Sequence, residues 1–162
     1  MDNKSIMFVC HGNICRSPMA EFIFKDMLAC NGLAGRITVA SAATSDEEIY
    51  RGVGNSVYPP AREELEKHGI SCDGKRAVQL KKSDYEVYDL FLCMDDKNVK
   101  NTLSIFGGDP EGKVTKLLAL TGSYRDVADP WYSGAFDTAY DDIYKGCAAL
   151  LKIILDMNKR PF

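Results

Sequence analysis

The chain has 162 residues, 46% apolar and 27% charged, with a formal net charge of −3. That length suits one domain whose core needs no covalent staples. The slight acidity argues against a general binder of nucleic acid or of anionic membrane, and no apolar run nears the roughly 18 residues of a membrane span.

The opening Met1-Asp2-Asn3-Lys4 has no signal-peptide pattern and leads straight into an apolar run, Ile6-Met7-Phe8-Val9, read as a strand over 6–9. Cys10-His11-Gly12-Asn13-Ile14-Cys15-Arg16-Ser17-Pro18 follows. Gly12 and Asn13 tolerate positive φ, so this loop can coil with its N–H groups turned inward. A helix is expected to start near Ser17 as cap and Pro18 as first residue, which brings unpaired N–H donors and a positive dipole end. Arg16 offers a fixed fork of donors for two phosphate oxygens. In such a setting a cysteine becomes a thiolate at neutral pH, so Cys10 is expected to be a sulfur nucleophile facing a bound phosphate. Ser17 is placed to donate to that sulfur.

Met19, Ile23, Met27 and Cys30 then recur at helical spacing. A strand is predicted over 37–40, a short helix over 60–68 stopped by Gly69, and a strand over 90–93. A helix over 95–106 carries Val99, Leu103 and Phe106 on one face and ends at Gly107-Gly108, and a strand is predicted over 114–118. The last helix shows the stripe Tyr140, Ile143, Tyr144, Cys147, Leu151, Ile154 and Leu155. Asp137, Asp141 and Asp142 crowd its start, and Lys159 and Arg160 its end, as the helix dipole favours. Strands alternating with helices imply an α/β fold, a parallel sheet covered on both faces with ligands at the strands' carboxyl ends. The Cys10 loop leaves the first strand at that edge.

Six cysteines (Cys10, Cys15, Cys30, Cys72, Cys93 and Cys147) occur without a secretory context. Disulfides are therefore not expected, and a reducing cytoplasm is. With no Cys-x2-Cys pair and only His11 and His68, no metal site is expected. Cys30, Cys93 and Cys147 fall on apolar faces and are assigned to the core. His11 is expected to point to solvent, and His68 to bond local backbone at a helix end. Cleaving a phosphate ester also calls for a proton on the departing oxygen. Asp129, in Ala128-Asp129-Pro130-Trp131-Tyr132, is the candidate: Pro130 holds it extended, and Trp131 and Tyr132 can wall a slot for an aromatic leaving group.

Taken together, these residues resemble the low-molecular-weight protein tyrosine phosphatases over nearly the whole chain. The matching pieces are Phe8-Val9-Cys10 through Arg16-Ser17-Pro18-Met19-Ala20-Glu21, Ser41-Ala42-Ala43-Thr44-Ser45, His68-Gly69-Ile70, Leu92-Cys93-Met94-Asp95 and Asp129-Pro130-Trp131-Tyr132. The resemblance implies one domain over 1–162, a flavodoxin-like three-layer sandwich with a four-stranded parallel sheet and helices on both faces. It implies two-step hydrolysis of phosphotyrosine in proteins or peptides, without metal or cofactor, by a monomer capable of weak self-association. In it, Cys10 forms a cysteinyl-phosphate, Arg16 and the loop N–H groups of His11 through Ser17 bind the phosphoryl oxygens, and Asp129 serves as acid and then base. Asn13 is held left-handed by Ser17 and Ser41, and Cys15 can form a protective disulfide with Cys10.

The chain departs from the family at two places. Glu47 stands where an aromatic slot wall is common, with Glu48 beside it and Tyr50 the nearest aromatic; such a rim disfavours acidic phosphopeptides. Lys75 and Val78 stand where the family often has His and Arg, the His helping to pin the loop asparagine. Relatives with other chemistry fit less well. A thiol-dependent arsenate reductase needs a further mobile cysteine pair, whereas Cys72 and Cys93 lie 21 positions apart with Cys93 in a strand. A protein arginine phosphatase has Thr where Ile14 stands. A non-hydrolytic phosphocysteine carrier would need Cys10 but not Asp129.

Overall fold

Every residue of the first strand from Ile6 to Cys10 is buried, as in a strand covered on both faces of a parallel sheet. The computed structural model describes residues 4–159. Along them run β1 (Lys4–Cys10), α1 (Arg16–Cys30), β2 (Ile37–Ala43), a hairpin of β3 (Ile49–Tyr50) and β4 (Val53–Gly54), and α2 (Pro59–Lys67). There follow the short α3 (Asp84–Val87), β5 (Leu90–Cys93), α4 (Asp96–Phe106), β6 (Val114–Lys116), a 3-10 turn (Leu117–Thr121), the short α5 (Pro130–Ser133) and α6 (Phe136–Asn158). The four-stranded sheet has the order β2-β1-β5-β6, parallel throughout. Lys4 pairs with Ile37 and Cys10 with Ala43 on one side of β1, while Val9 pairs with Cys93 on the other.

The alternation of β1 feeds two cores. Ile6 and Phe8 pack with Ile23 and Phe24 of α1 and Ile143 and Leu150 of α6. Met7 and Val9 pack on the opposite face with Phe91, Tyr85 of α3 and Phe106 of α4. Strand order reverses direction at β1, since the chain leaves it for β2 on one side and returns to β5 on the other. A crevice opens at the carboxyl ends of two such strands, and Cys10 stands there.

Several details depart from the sequence reading. Cys30 is exposed, and in the last turns of α1 the buried apolar residues are Met27 and Leu28. The strand predicted over 114–118 ends at Lys116, and the fully buried Leu117 and Leu118 begin the 3-10 turn. That bend seats Leu117 against Gly146 of α6, where an added Cβ would lie 2.5 Å from Leu117 Cγ. α4 buries Asn98, Thr102 and Phe106, with Leu103 only half-buried: its polar residues have inward partners, Asn98 in the cap of its own helix and Thr102 beside Cys93 at 3.6 Å. On α6, Tyr144 is exposed, and the buried face runs through Ala139, Ile143, Gly146, Cys147, Leu150 and Ile154. Arg160 lies outside the described residues. Among those residues, no helix is long and apolar enough to cross a membrane.

Candidate active site

Cys10 ends β1, and residues 11–15 must reverse the chain into α1 around its sulfur. Asn13 makes the reversal: its φ is 59°, a left-handed conformation that Asn tolerates better than most residues. Its side chain is buried and tied on three sides. Nδ2 donates to Ser17 Oγ at 2.7 Å and to Ser41 Oγ at 2.9 Å, and Oδ1 accepts from Val78 N at 3.0 Å.

The loop closes on the sulfur. Cys10 Sγ accepts from Asn13 N at 3.3 Å and Ser17 N at 3.4 Å, with Ser17 Oγ at 2.9 Å. Since Ser17 Oγ accepts from Asn13, its own hydrogen is left for the sulfur. Ser17 is therefore not the cap of α1. The helix begins at Arg16 after Cys15, with no side-chain cap, and Pro18 is its third residue. In that first turn Ser17 N–H is turned to the Cys10 sulfur, Pro18 has no N–H, and Met19 N donates to Cys15 O at 3.1 Å.

Arg16 is 3% exposed. Its Nη1 donates to Asp95 Oδ2 and to Val127 O, both at 2.8 Å, and its Nη2 to Asp129 Oδ2 at 3.5 Å. Burial alone would lower its affinity for the proton, but Cys10, Asp95 and Asp129 more than offset this and raise it. Asp95 divides its oxygens, since Oδ1 caps α4 by accepting from Asn98 N at 2.7 Å. Asp129 is extended (φ −76°, ψ 111°) ahead of Pro130, as expected, and its Oδ1 accepts from Trp131 N at 3.1 Å, capping the short α5. Cys15 is a buried thiol, pushed up to about 12 by burial first, then by Cys10 and Asp129.

These side chains enclose a cleft of about 130 Å³, lined by residues 10–16 together with Glu47, Glu48, Asp129, Trp131 and Tyr132. Trp131 is steadied by the Tyr58 ring, 4.7 Å between centroids. A roomier apolar cavity of about 220 Å³ lies at the opposite sheet edge among Ile6, Leu33, Leu90, Leu150 and Ile154, and no cysteine lines it. Tyr50 is not part of the slot. The β3–β4 turn, with Arg51 at φ 49° and Gly52 at φ 77°, carries it outward to 72% exposure, and Glu48 lines the cleft. His11 does not simply face solvent: its Nε2 meets Glu47 Oε2 at 2.9 Å. His68 bonds a side chain, Glu64, at 3.3 Å and stacks on Tyr140 at 3.8 Å, where local backbone had been expected.

Three further anchors of the site carry no catalytic signature of their own in the sequence. Asp95 stands at the carboxyl end of β5, one strand from Cys10, a position in a parallel sheet that itself marks a site. Buried Glu21 accepts from Ser41 Oγ at 2.6 Å. Lys75, standing where the family often has His, donates to Ser41 O at 3.1 Å and lies 3.5 Å from Glu21 Oε1; burial lowers its affinity for the proton and Glu21 partly restores it.

Comparison with known proteins matches residues 5–160 to the family described as low molecular weight phosphotyrosine protein phosphatase. The chain is 38% identical over 152 residues to the low molecular weight protein-tyrosine-phosphatase YfkJ of Bacillus subtilis, covering 93% of this chain and 95% of that one. It is 34% identical over 158 residues to the low molecular weight phosphotyrosine protein phosphatase of Sus scrofa, covering 94% of each. The crystal structure of Bacillus subtilis YfkJ superposes with a TM-score of 0.90 at 36% identity over 99% of both chains.

Proposed function

The chain belongs to the low molecular weight phosphotyrosine protein phosphatase family, and on that premise we propose that Cys10, Arg16 and Asp129 carry out the hydrolysis. The enzyme is a protein tyrosine phosphatase, as its relatives are named, and its substrates are phosphotyrosine residues of proteins or peptides. The observation that carries the assignment is the convergence of Asn13 N, Ser17 N and Ser17 Oγ on the Cys10 sulfur, with Arg16 alongside. That arrangement solvates a sulfur anion with protein donors and leaves open N–H groups for three phosphoryl oxygens.

In the first step the Cys10 sulfur attacks phosphorus, an S–P bond forms and the P–O bond to the phenol breaks. The Asp129 carboxylic acid gives its proton to the departing oxygen. Arg16 and the loop amides hold the charge spread over the transferring group. In the second step a water attacks phosphorus, its proton returns to Asp129, and the P–S bond breaks to free phosphate and the thiolate. Trp131 and Tyr132 flank the path of the aromatic ring.

Two substitutions test the assignment. Cys10→Ser is expected to abolish turnover of an aryl phosphate. Asp129→Ala is expected to lower it by ~10²–10⁴-fold while vanadate still binds. Activity that survives Cys10→Ser, or is untouched by Asp129→Ala, rules the assignment out.

A further inference from the structure

Lys116, the last residue of β6, has a side chain only 9% exposed. An ammonium has three N–H donors, and all three find oxygen: Tyr124 O, Asp126 Oδ1 at 3.0 Å and Asp96 Oδ1 at 2.9 Å. The bond to Asp96, then that to Asp126, holds its proton above the ordinary lysine range against the opposing effect of burial. Two of these acceptors belong to the segment that runs from Gly122 to Asp129, which has no helix or strand of its own after the 3-10 turn. The third belongs to the first residue of α4, next to Asp95.

The two segments are laced together around this cation. Asp126 Oδ1 also accepts from Asp96 N at 3.1 Å, and Val127 N donates to Met94 O at 2.8 Å. Arg16 takes one acceptor from each segment, Asp95 Oδ2 and Val127 O, and Asp129 follows two residues after Val127. A segment without a backbone ladder takes its shape from such ties.

We propose that Lys116 is a positioning residue for the reaction: it locks residues 124–129 to the start of α4 and so sets where Asp129 stands and how Arg16 is aimed. The inference rests on Asp129 being the acid, as assigned above. Lys116 touches no reacting atom. Its effect is on geometry, to which proton transfer is sensitive on the scale of an ångström.

The test is Lys116→Met, which keeps the apolar stem and removes the donors, assayed by kcat/KM over aryl phosphates with leaving groups from p-nitrophenol to phenol. A misplaced acid matters most when the leaving oxygen is basic. The expected loss is ~3-fold or less for p-nitrophenyl phosphate and ~10-fold or more for phenyl phosphate, with a flattened acid-dependent limb in the pH profile. Asp126→Ala, which removes one acceptor on the exposed side, is expected to show the same trend more weakly, and it decides the matter should Lys116→Met fail to fold. Loss that is equal across the series, or absent, in a folded variant overturns the proposal. Asp129→Ala run alongside separates the failures. A steep series for Asp129→Ala with flat series for the other two sinks the role of Lys116 alone, whereas a flat series for Asp129→Ala sinks the acid assignment and this inference with it.

Discussion

Asn13 shows how much of the site hangs on one side chain that never touches phosphate chemistry in the proposed steps. It supplies a left-handed backbone and satisfies Ser17, Ser41 and Val78 N together. For Asn13→Ala, a left-handed conformation costs about 1–2 kcal/mol, and each buried group left without a partner costs about 1–3 kcal/mol. We expect kcat/KM for aryl phosphate to fall ~10²-fold with the global fold kept; Asn13→Gly, which relieves the backbone but not the anchors, is expected to recover only part of that. Full activity in Asn13→Ala would show that the loop holds its shape unaided. At this scale the gathering of Cys10, Arg16 and Asp129 around one cleft was legible because each sits in a short motif of fixed spacing. Glu21 and Lys75 were not, because they act through Ser41, and Ser41 is delivered by the pairing of β1 with β2, Phe8 opposite Ser41. Nothing local in the chain announces that register.

Between elements, the tightest approach is that of α6 to the 3-10 turn. Ala forms helix better than Gly by about 1 kcal/mol, so an isolated α6 would gain from Gly146→Ala. In the protein the new Cβ would lie 2.5 Å from Leu117 Cγ and 2.9 Å from Leu117 Cδ1, and overpacking of that kind costs about 1–3 kcal/mol. We expect net destabilisation, read as a melting temperature lower by several degrees; a higher one would mean that Leu117 moves aside freely. The same contact explains why the strand predicted over 114–118 stops early: a run of apolar residues reads alike as strand or turn, and only the neighbour decides. The helices were located from periodicity, and Phe106 and Val99 of α4 do face the core, but periodicity does not reveal that Asn98 and Thr102 are buried beside them, because their polar partners do not register as hydrophobicity.

For the molecule as a whole, acid stability has a traceable contributor in Asp109. Burial alone would raise its carboxyl above the ordinary 3.8, but hydrogen bonds from Lys113 N, Tyr85 Oη and Val114 N prevail and hold it below that value. The unfolded chain therefore takes up this proton first as pH falls. The contribution is whole above the unfolded value and is lost as pH drops through the folded one. Asp109→Ala is expected to cost about 1–2 kcal/mol at neutral pH and to shallow the acid limb of a denaturant-midpoint profile; a parallel limb would assign the effect elsewhere. The sheet, its two faces and the place of the site were legible from alternation alone, since those follow from general rules of α/β packing. The rim was not, because the direction of Tyr50 depends on a two-residue hairpin turn.

The unequal seating of the six sulfurs also makes the protein its own stopwatch. Cys30 lies open, while Cys93, pushed up to about 12 by burial, and Cys147, raised further by burial alone, are walled in by the two cores. An alkylating reagent would mark Cys30 at once and reach the interior pair only when strands and helices part, so the pace of that second labelling times native-state opening.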